Sequence, residues 1–433
     1  MPSRWRTLLA ALVAVPVVIG LQGLVAAPAQ ARAGGGAPGS FTGYGFDTCA
    51  APPQEVMDAW WTGSPYAAVG VFIGGSTRLC KDQPNLTADW VRAQQRTGWR
   101  IQAAWVGPQA SCSGYADTMS SDLATARQQG ITEASSAVAT AQLLAIGPGS
   151  TLYYDLEDYA LAETACRQAA LSFLSGWTDQ LHGQGYQSGV YSNIAAAIAS
   201  LDLADRVSPG SYSMPDDIWF AWANGAADAV ASPEWVKSHE WDDHDRVHQY
   251  RLDTTETWGG YAMKIDLNWL DVGQGSVPPK VKPVCKGVDV DLRRYPTLKA
   301  GKRGPAVAAV QCLLVKAHVL KGRPSGRYDA VTVRAVKKAQ RKLHQPQTGK
   351  VTKRTWAGLL ARGSQPLLKV GSTGEPVLRL QRALVAALGK RTTVDGVFSQ
   401  DTERRVQLLQ RRAGLPQTGV VAAQEWELVA DGG

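Results

Sequence analysis

Four carboxylates carry the chemistry that this sequence could perform. Asp47 closes Gly45-Phe46-Asp47, Asp155 and Glu157 close Tyr153-Tyr154-Asp155-Leu156-Glu157, and Asp266 stands in Lys264-Ile265-Asp266-Leu267-Asn268. Asp155 and Glu157 are two residues apart, so an extended backbone turns both toward one face. At about 3.3 Å rise per residue their Cα atoms lie roughly 6.6 Å apart. Carboxylates crowded in this way oppose one another's ionisation, and one can be held protonated near neutral pH. An acid and an anion in one pocket is the pair that glycosidic cleavage requires. A single acid at a strand end is commonly solvated or caps the next helix. The convergence of four on one face is what marks a site.

The elements that must position these acids lie in residues 41–272. Short β-like runs at 44–47, 68–73, 100–106, 151–156, 187–191, 218–222, 247–250 and 264–267 alternate with helical stretches, clearest at 86–97, 122–145 and 162–184. Eight such alternations predict an α/β fold, a (βα)8 TIM-type barrel. Its sixth and seventh helices are poorly marked, so the barrel is expected to be irregular. Active sites of such barrels lie at the C-terminal ends of the strands, and each acid is read as ending its strand.

Beyond the barrel the character of the chain changes. Gly273-Gln274-Gly275-Ser276-Val277-Pro278-Pro279 opens a linker, placed at 273–295. Residues 1–279 have a net charge of −12 and residues 280–433 a net charge of +20. An internal repeat follows at an offset of 70. Leu298-Lys299-Ala300-Gly301 recurs as Leu368-Lys369-Val370-Gly371, and Gln311, Gly326 and Trp356 recur as Gln381, Gly396 and Trp426. Apolar residues at Val307, Val310, Leu314 and Ala317, and again at Val333, Val336, Ala339 and Leu343, give a helical period. A third helix near Thr352 carries Trp356. Each copy, 296–363 and 366–430, is therefore expected to be a small all-α three-helix module, with its Trp in the core.

These residues resemble known families. Leu-Lys-x-Gly-x-x-Gly, the Gln-x-x-Leu helix and Gln-Thr-Gly before a Trp-bearing helix are similar to the peptidoglycan-binding-like domain. Asp47, Asp155-Leu156-Glu157, Gln249-Tyr250 and Asp266-Leu267-Asn268 resemble the glycoside hydrolase family 25 muramidases. Gly45-Phe46-Asp47-Thr48-Cys49, Gly70-Val71-Phe72-Ile73-Gly74-Gly75 and Gly189-Val190-Tyr191-Ser192 bring 41–272 closer still to the actinobacterial glycoside-hydrolase-like family related to those muramidases. The resemblance implies Glu157 as general acid. It implies Asp155 as support for the substrate's 2-acetamido group or for developing positive charge, with Asp47 and Asp266 tuning the pair. Substrate-assisted cleavage of this kind needs no separate enzymic nucleophile. Tyr154, Tyr191, Trp222, Gln249, Tyr250 and Asn268 are the expected substrate contacts, with Trp219 a further aromatic near the rim.

The remaining signals concern compartment and rivals. Arg4 and Arg6, an apolar run over 8–25 and Ala29-Gln30-Ala31 read as a cleaved signal peptide at 1–31. Mean hydropathy is −0.17, which excludes a polytopic membrane protein. Six cysteines and no C-x-x-C pair fit disulfides in an exported chain. Neighbouring βα loops of a barrel would join Cys49 to Cys80 and Cys112 to Cys166, leaving Cys285 for Cys312. His244-x-x-x-His248 has the spacing of two zinc ligands, but Asp245 stands where such motifs carry Glu and no third ligand is evident. Neither a metal nor a cofactor is assigned. No nucleic-acid fold signature accompanies the basic half. The sequence thus reads as a secreted, cell-wall-associated monomer that acts on peptidoglycan or a related glycan. The alternative is a barrel that holds glycan without cutting it.

Overall fold

The computed structural model of the chain describes residues 36–280 and 282–433. The expected signal peptide lies outside the described residues. No helix among the described residues is long and apolar enough to cross a membrane.

Eight strands close into one barrel in chain order: β1 (Phe41–Asp47), β2 (Ala68–Gly74), β3 (Arg100–Trp105), β4 (Thr151–Asp155), β5 (Gln187–Asn193), β6 (Asp217–Ala221), β7 (Asp245–Trp258) and β8 (Tyr261–Val272). The helices α1 (Gln54–Gly63), α2 (Ala88–Thr97), α3 (Leu123–Leu143) and α4 (Thr164–Gly183) follow the first four strands. A π-helical turn, Ile194–Ile198, leads into α5 (Ala199–Val207) after β5. β2 is apolar almost throughout, as a strand covered on both faces must be. The side chains of Thr87 and Asp122 cap α2 and α3 by accepting the N–H groups of Trp90 and Thr125. α3 and α4 pack closely at Gly130, where an added Cβ would lie 2.0 Å from the Phe173 carbonyl oxygen.

The last strand differs from the expected eighth βα unit. β7 and β8 form a hairpin, with Trp258 paired to Tyr261 across Gly259-Gly260. Both glycines have positive φ, +59° and +88°, which suits a two-residue hairpin turn. β8 is consequently antiparallel to both β7 and β1. Asp266 does not end an ascending strand. It lies within a descending one, opposite Asp47.

The C-terminal half is all helical: α6 (Pro305–Lys316), α7 (Ala330–Lys342), α8 (Lys353–Leu360), α9 (Glu375–Leu388), α10 (Gln400–Arg412) and α11 (Ala423–Ala430). The repeated residues do repeated work. Trp356 and Trp426 are fully buried, and their indole N–H groups donate to Pro296 and Pro366 carbonyls at 2.8 and 2.9 Å. Gln311 Oε1 accepts the Gly326 N–H while its Nε2 donates to the Arg327 carbonyl. Gln381 does the same with Gly396 and Val397. A buried amide thus satisfies the turn groups that the Arg303–Arg327 and Thr373–Val397 bridges leave over.

The second repeat is fastened to the barrel by Lys369. Its Nζ donates to the carbonyls of Trp61, Ser64 and Tyr66 at 2.5, 3.0 and 2.9 Å, and lies 4.3 Å from the centre of the Trp61 ring. These carbonyls stand at and just past the C-terminus of α1, where the helix dipole is negative and acceptors are left over. Burial pushes the lysine's pKa down. Three acceptors for three N–H groups, with an indole face beside them, offset that cost. Tyr44 donates to Glu403 at 3.0 Å and Gln400 to the Ala227 carbonyl at 2.9 Å, widening the junction. The matching Lys299 of the first repeat is exposed.

Lys369→Met leaves three carbonyls without a donor and should cost about 3 kcal/mol or more, whereas Lys299→Met should stay within about 0.5 kcal/mol. Chemical denaturation of the full chain checks this. Equal effects of the two substitutions would contradict the fastening role.

Candidate active site

A cavity of about 480 Å³ opens at the barrel rim, lined in part by Asp47, Asp155, Glu157 and Asp266. Asp47 is buried at the end of β1. Its Oδ2 accepts from Gln249 Nε2 and Asn268 Nδ2, both at 2.8 Å. Gln249 Oε1 in turn accepts the Tyr191 hydroxyl, and Asn268 Oδ1 accepts the Trp219 indole N–H, each at 2.8 Å. The Trp219 indole can only donate, which fixes the orientation of the Asn268 amide. Burial, and then Asp266, push the Asp47 pKa up to about 7, while the two amides pull it down.

Asp155 is buried and its Oδ1 has no hydrogen-bond partner. Burial raises its pKa well above the usual carboxylate range, and Glu157 and Asp47 add to the rise. Glu157 is half-buried, and burial followed by Asp158 raises it too. Asp266 accepts the Asp253 N–H at 2.6 Å and is raised chiefly by burial. None of the four is ion-paired among the described residues. The cations on the cavity wall are engaged elsewhere: Arg78 donates to the Phe72 and Lys81 carbonyls, and Lys264 pairs with Asp253. Buried acids gathered without an ion-pair partner hold their protons more tightly than free carboxyls do. Such a group can donate a proton at one atom and present negative charge at another.

Gln109, which the sequence reading passed over, sets the position of two of these acids. It is buried in the loop after β3. Its Oε1 accepts the Glu157 N–H at 2.8 Å, and its Nε2 donates to the Asp155 and Gly107 carbonyls at 3.0 Å. It therefore holds the backbone on which both carboxyls sit. One polar residue in a loop gives no local sign of such a role.

The expected substrate contacts divide. Tyr191 and Gln249 line the cavity, as does Trp219, and Asn268 lies buried behind Asp47. Tyr154 does not reach the cavity. It is fully buried against Phe173 and Trp177 of α4 and donates to the Pro108 carbonyl. The alternation that turns Tyr153, Asp155 and Glu157 inward turns Tyr154 outward. Trp222 is not part of the lining and stacks on His248. Tyr250 is buried outside the cavity, beyond Gln249 where the β7 register slips. His248 places both ring nitrogens on carbonyls, those of Asp228 and Trp222, and His244 bonds Asp271, so the two histidines do not converge. The structure joins Cys49 to Cys80, Cys112 to Cys166 and Cys285 to Cys312. The first pair lines the cavity.

Fold and site together define a glycoside hydrolase-like barrel with appended helical modules. Residues 58–270 match the Rv2525c-like, glycoside hydrolase-like domain, and residues 303–359 and 373–428 each match a peptidoglycan binding domain. The barrel thus matches the Rv2525c-like family over residues 58–270, and two matches to the peptidoglycan binding family follow it. Among solved structures, it is similar to an uncharacterized B. stearothermophilus protein at 17% identity and a TM-score of 0.36, covering 53% of this chain and 95% of that one. It is similar to the Mycobacterium tuberculosis Tat-secreted protein Rv2525c in complex with L-tartrate at 16% and 0.37, covering 54% and 97%. It is also similar to the modular autolysin LytC from Streptococcus pneumoniae at 15% and 0.34, covering 53% and 46%. No curated protein matches the chain.

Asp217, at the start of β6, gives a clean test of the barrel's acid load. Burial pushes its pKa up to about 7, against hydrogen bonds from Thr151 and Tyr153. A folded-state pKa above the unfolded value means that ionisation opposes folding. The stabilisation is full below about pH 4 and is lost as pH rises through about 7. Asp217→Asn still accepts both bonds, so the fall in melting temperature from pH 4 to 8 should become shallower. An unchanged slope in thermal melts would place the acid load elsewhere.

Proposed function

We propose that the protein is an exported hydrolase of peptidoglycan-type glycan. The barrel cuts and the repeats hold the wall. The observation that carries this reading is the Asp155–Glu157 pair, a buried carboxyl with an unpartnered oxygen beside a half-buried one, in a cavity whose four acids lack ion-pair partners. Glu157, the more accessible of the pair, donates a proton to the leaving oxygen. Asp155 supports the 2-acetamido group or the developing positive charge. Burial, and then the neighbouring Glu157 and Asp47, raise Asp155, and burial, followed by Asp158, raises Glu157, so the pair is biased toward sharing a proton. Tyr191 offers ring surface on the cavity wall, backed by the buried Trp219. The reaction consumes only water. Six cysteines, all paired, support export to an oxidising compartment.

Glu157→Gln keeps size and most hydrogen bonds but cannot donate the proton, so turnover should fall about 10²–10⁴-fold with glycan binding retained. Asp155→Asn should also slow turnover. Purified peptidoglycan, a reducing-end assay and mass spectrometry of the fragments provide the readout. A wild-type protein that binds defined oligosaccharides and never cleaves them would leave a glycan-holding barrel as the function. Cleavage that survives Glu157→Gln at full rate would move the acid to another residue.

A further inference from the structure

The two repeats share a fold but not a charge. Residues 296–363 carry 16 Lys and Arg against one acid, a net of +15, and residues 366–430 carry nine against six, a net of +3. The excess is concentrated on α7. Arg334, Lys337, Lys338, Arg341 and Lys342 fall at i, i+3, i+4, i+7 and i+8, which is one helix face. All five are exposed, and none is ion-paired among the described residues. The opposite face, with Ala335, Val336 and Ala339, packs into the core.

The second repeat spends its cations differently. On α10 the equivalent positions are Arg404, Gln407, Leu408, Arg411 and Arg412, so the two central lysines are gone. Arg404 lies 3.5 Å from Asp401. Lys369 is buried in the barrel junction, Arg379 donates to the Ala361 carbonyl at 2.9 Å, and Arg382 is bound to Asp291. One repeat is an adaptor and the other presents a bare cationic stripe.

Folding does not account for that stripe. Like charges four apart cost a helix about 0.2–0.5 kcal/mol per pair, and the helix dipole favours cations only in the last turn. From Arg334 to Lys342 the axial rise is about 12 Å. Five cations in that length match a chain with a charge every few ångströms, and guanidinium groups pair bidentately with phosphate.

We propose that this face of α7 binds a linear polyol-phosphate polymer, a phosphodiester chain of the glycerol-phosphate class. The choice of a wall polymer over a nucleic acid rests on the function proposed above. α7 also has no aromatic side chain on which bases could stack.

The test uses the full chain and purified poly(glycerol phosphate), with binding followed against salt. The α7 triple variant K337Q/K338Q/R341Q should bind at least about tenfold more weakly, and its slope of log affinity against log salt should fall by roughly two. R404Q/R411Q/R412Q on α10 should stay within about twofold of wild type. Melting temperatures at or above the wild-type value confirm that the α7 variant is folded, since repulsion has been removed. Absence of wild-type binding to the polymer, or equal losses from the two triple variants, overturns the proposal. Tighter binding to duplex DNA through the same residues overturns the choice of partner. A protein that neither pellets with phosphate-free peptidoglycan nor cleaves it, yet binds the polymer through α7, would sink the hydrolase reading and leave this one standing.

Discussion

The rim depends on the direction of one strand. β8 descends between two ascending neighbours, and its register places Asn268 opposite both Gly45 of β1 and Gln249 of β7. That puts an amide from each of the last two strands within reach of Asp47, a carboxylate too deep for water to solvate. An ascending β8 would have needed a crossover of a dozen or more residues after β7. The chain provides only Gly259-Gly260 there, and the hairpin that results closes the barrel and completes the polar network in one step.

Much of this was legible in the sequence, and the misses differ in cause. Eight β-like runs, the paired acids and the repeat at an offset of 70 all arise from local spacing, which a sequence displays directly. Gly-Gly between Thr257-Trp258 and Tyr261-Ala262 is a turn signal, yet the hairpin was not read from it. It was hidden by the polar outer arm of β7, which projects past the barrel and lacks an apolar period. Tyr154 shows a different failure. The two-residue period that pairs Asp155 with Glu157 already excludes Tyr154 from their face, so an aromatic beside a candidate acid is not evidence of contact. Gln109 was beyond reach, because its partners lie 46 and 48 residues away in sequence.

The two ends of the barrel treat buried charge in opposite ways. At the base, Lys369 meets three carbonyls and an indole, so its burial leaves nothing unsatisfied. At the rim, Asp155 keeps an oxygen without a partner, and none of the four acids that share the cavity is ion-paired among the described residues. A folded protein tolerates the second arrangement only where the rest of the structure fixes it in place. Here that restraint comes from Gln109, the Asp47 network and the disulfide between Cys49 and Cys80.

The junction at Lys369 has a mechanical consequence. Residues 273–295, taken as a free coil, would let the barrel roam about 25 Å from whatever the repeats grip. With the second repeat seated on the base, that leash is taken in and the mouth of the barrel keeps a fixed stand-off from the gripping surface. The molecule would then work on its substrate as a stamp rather than as a dog on a lead. If the barrel cuts glycan as proposed above, the next stretch is reached only by release and rebinding, and the rate of release then bounds the rate of cutting.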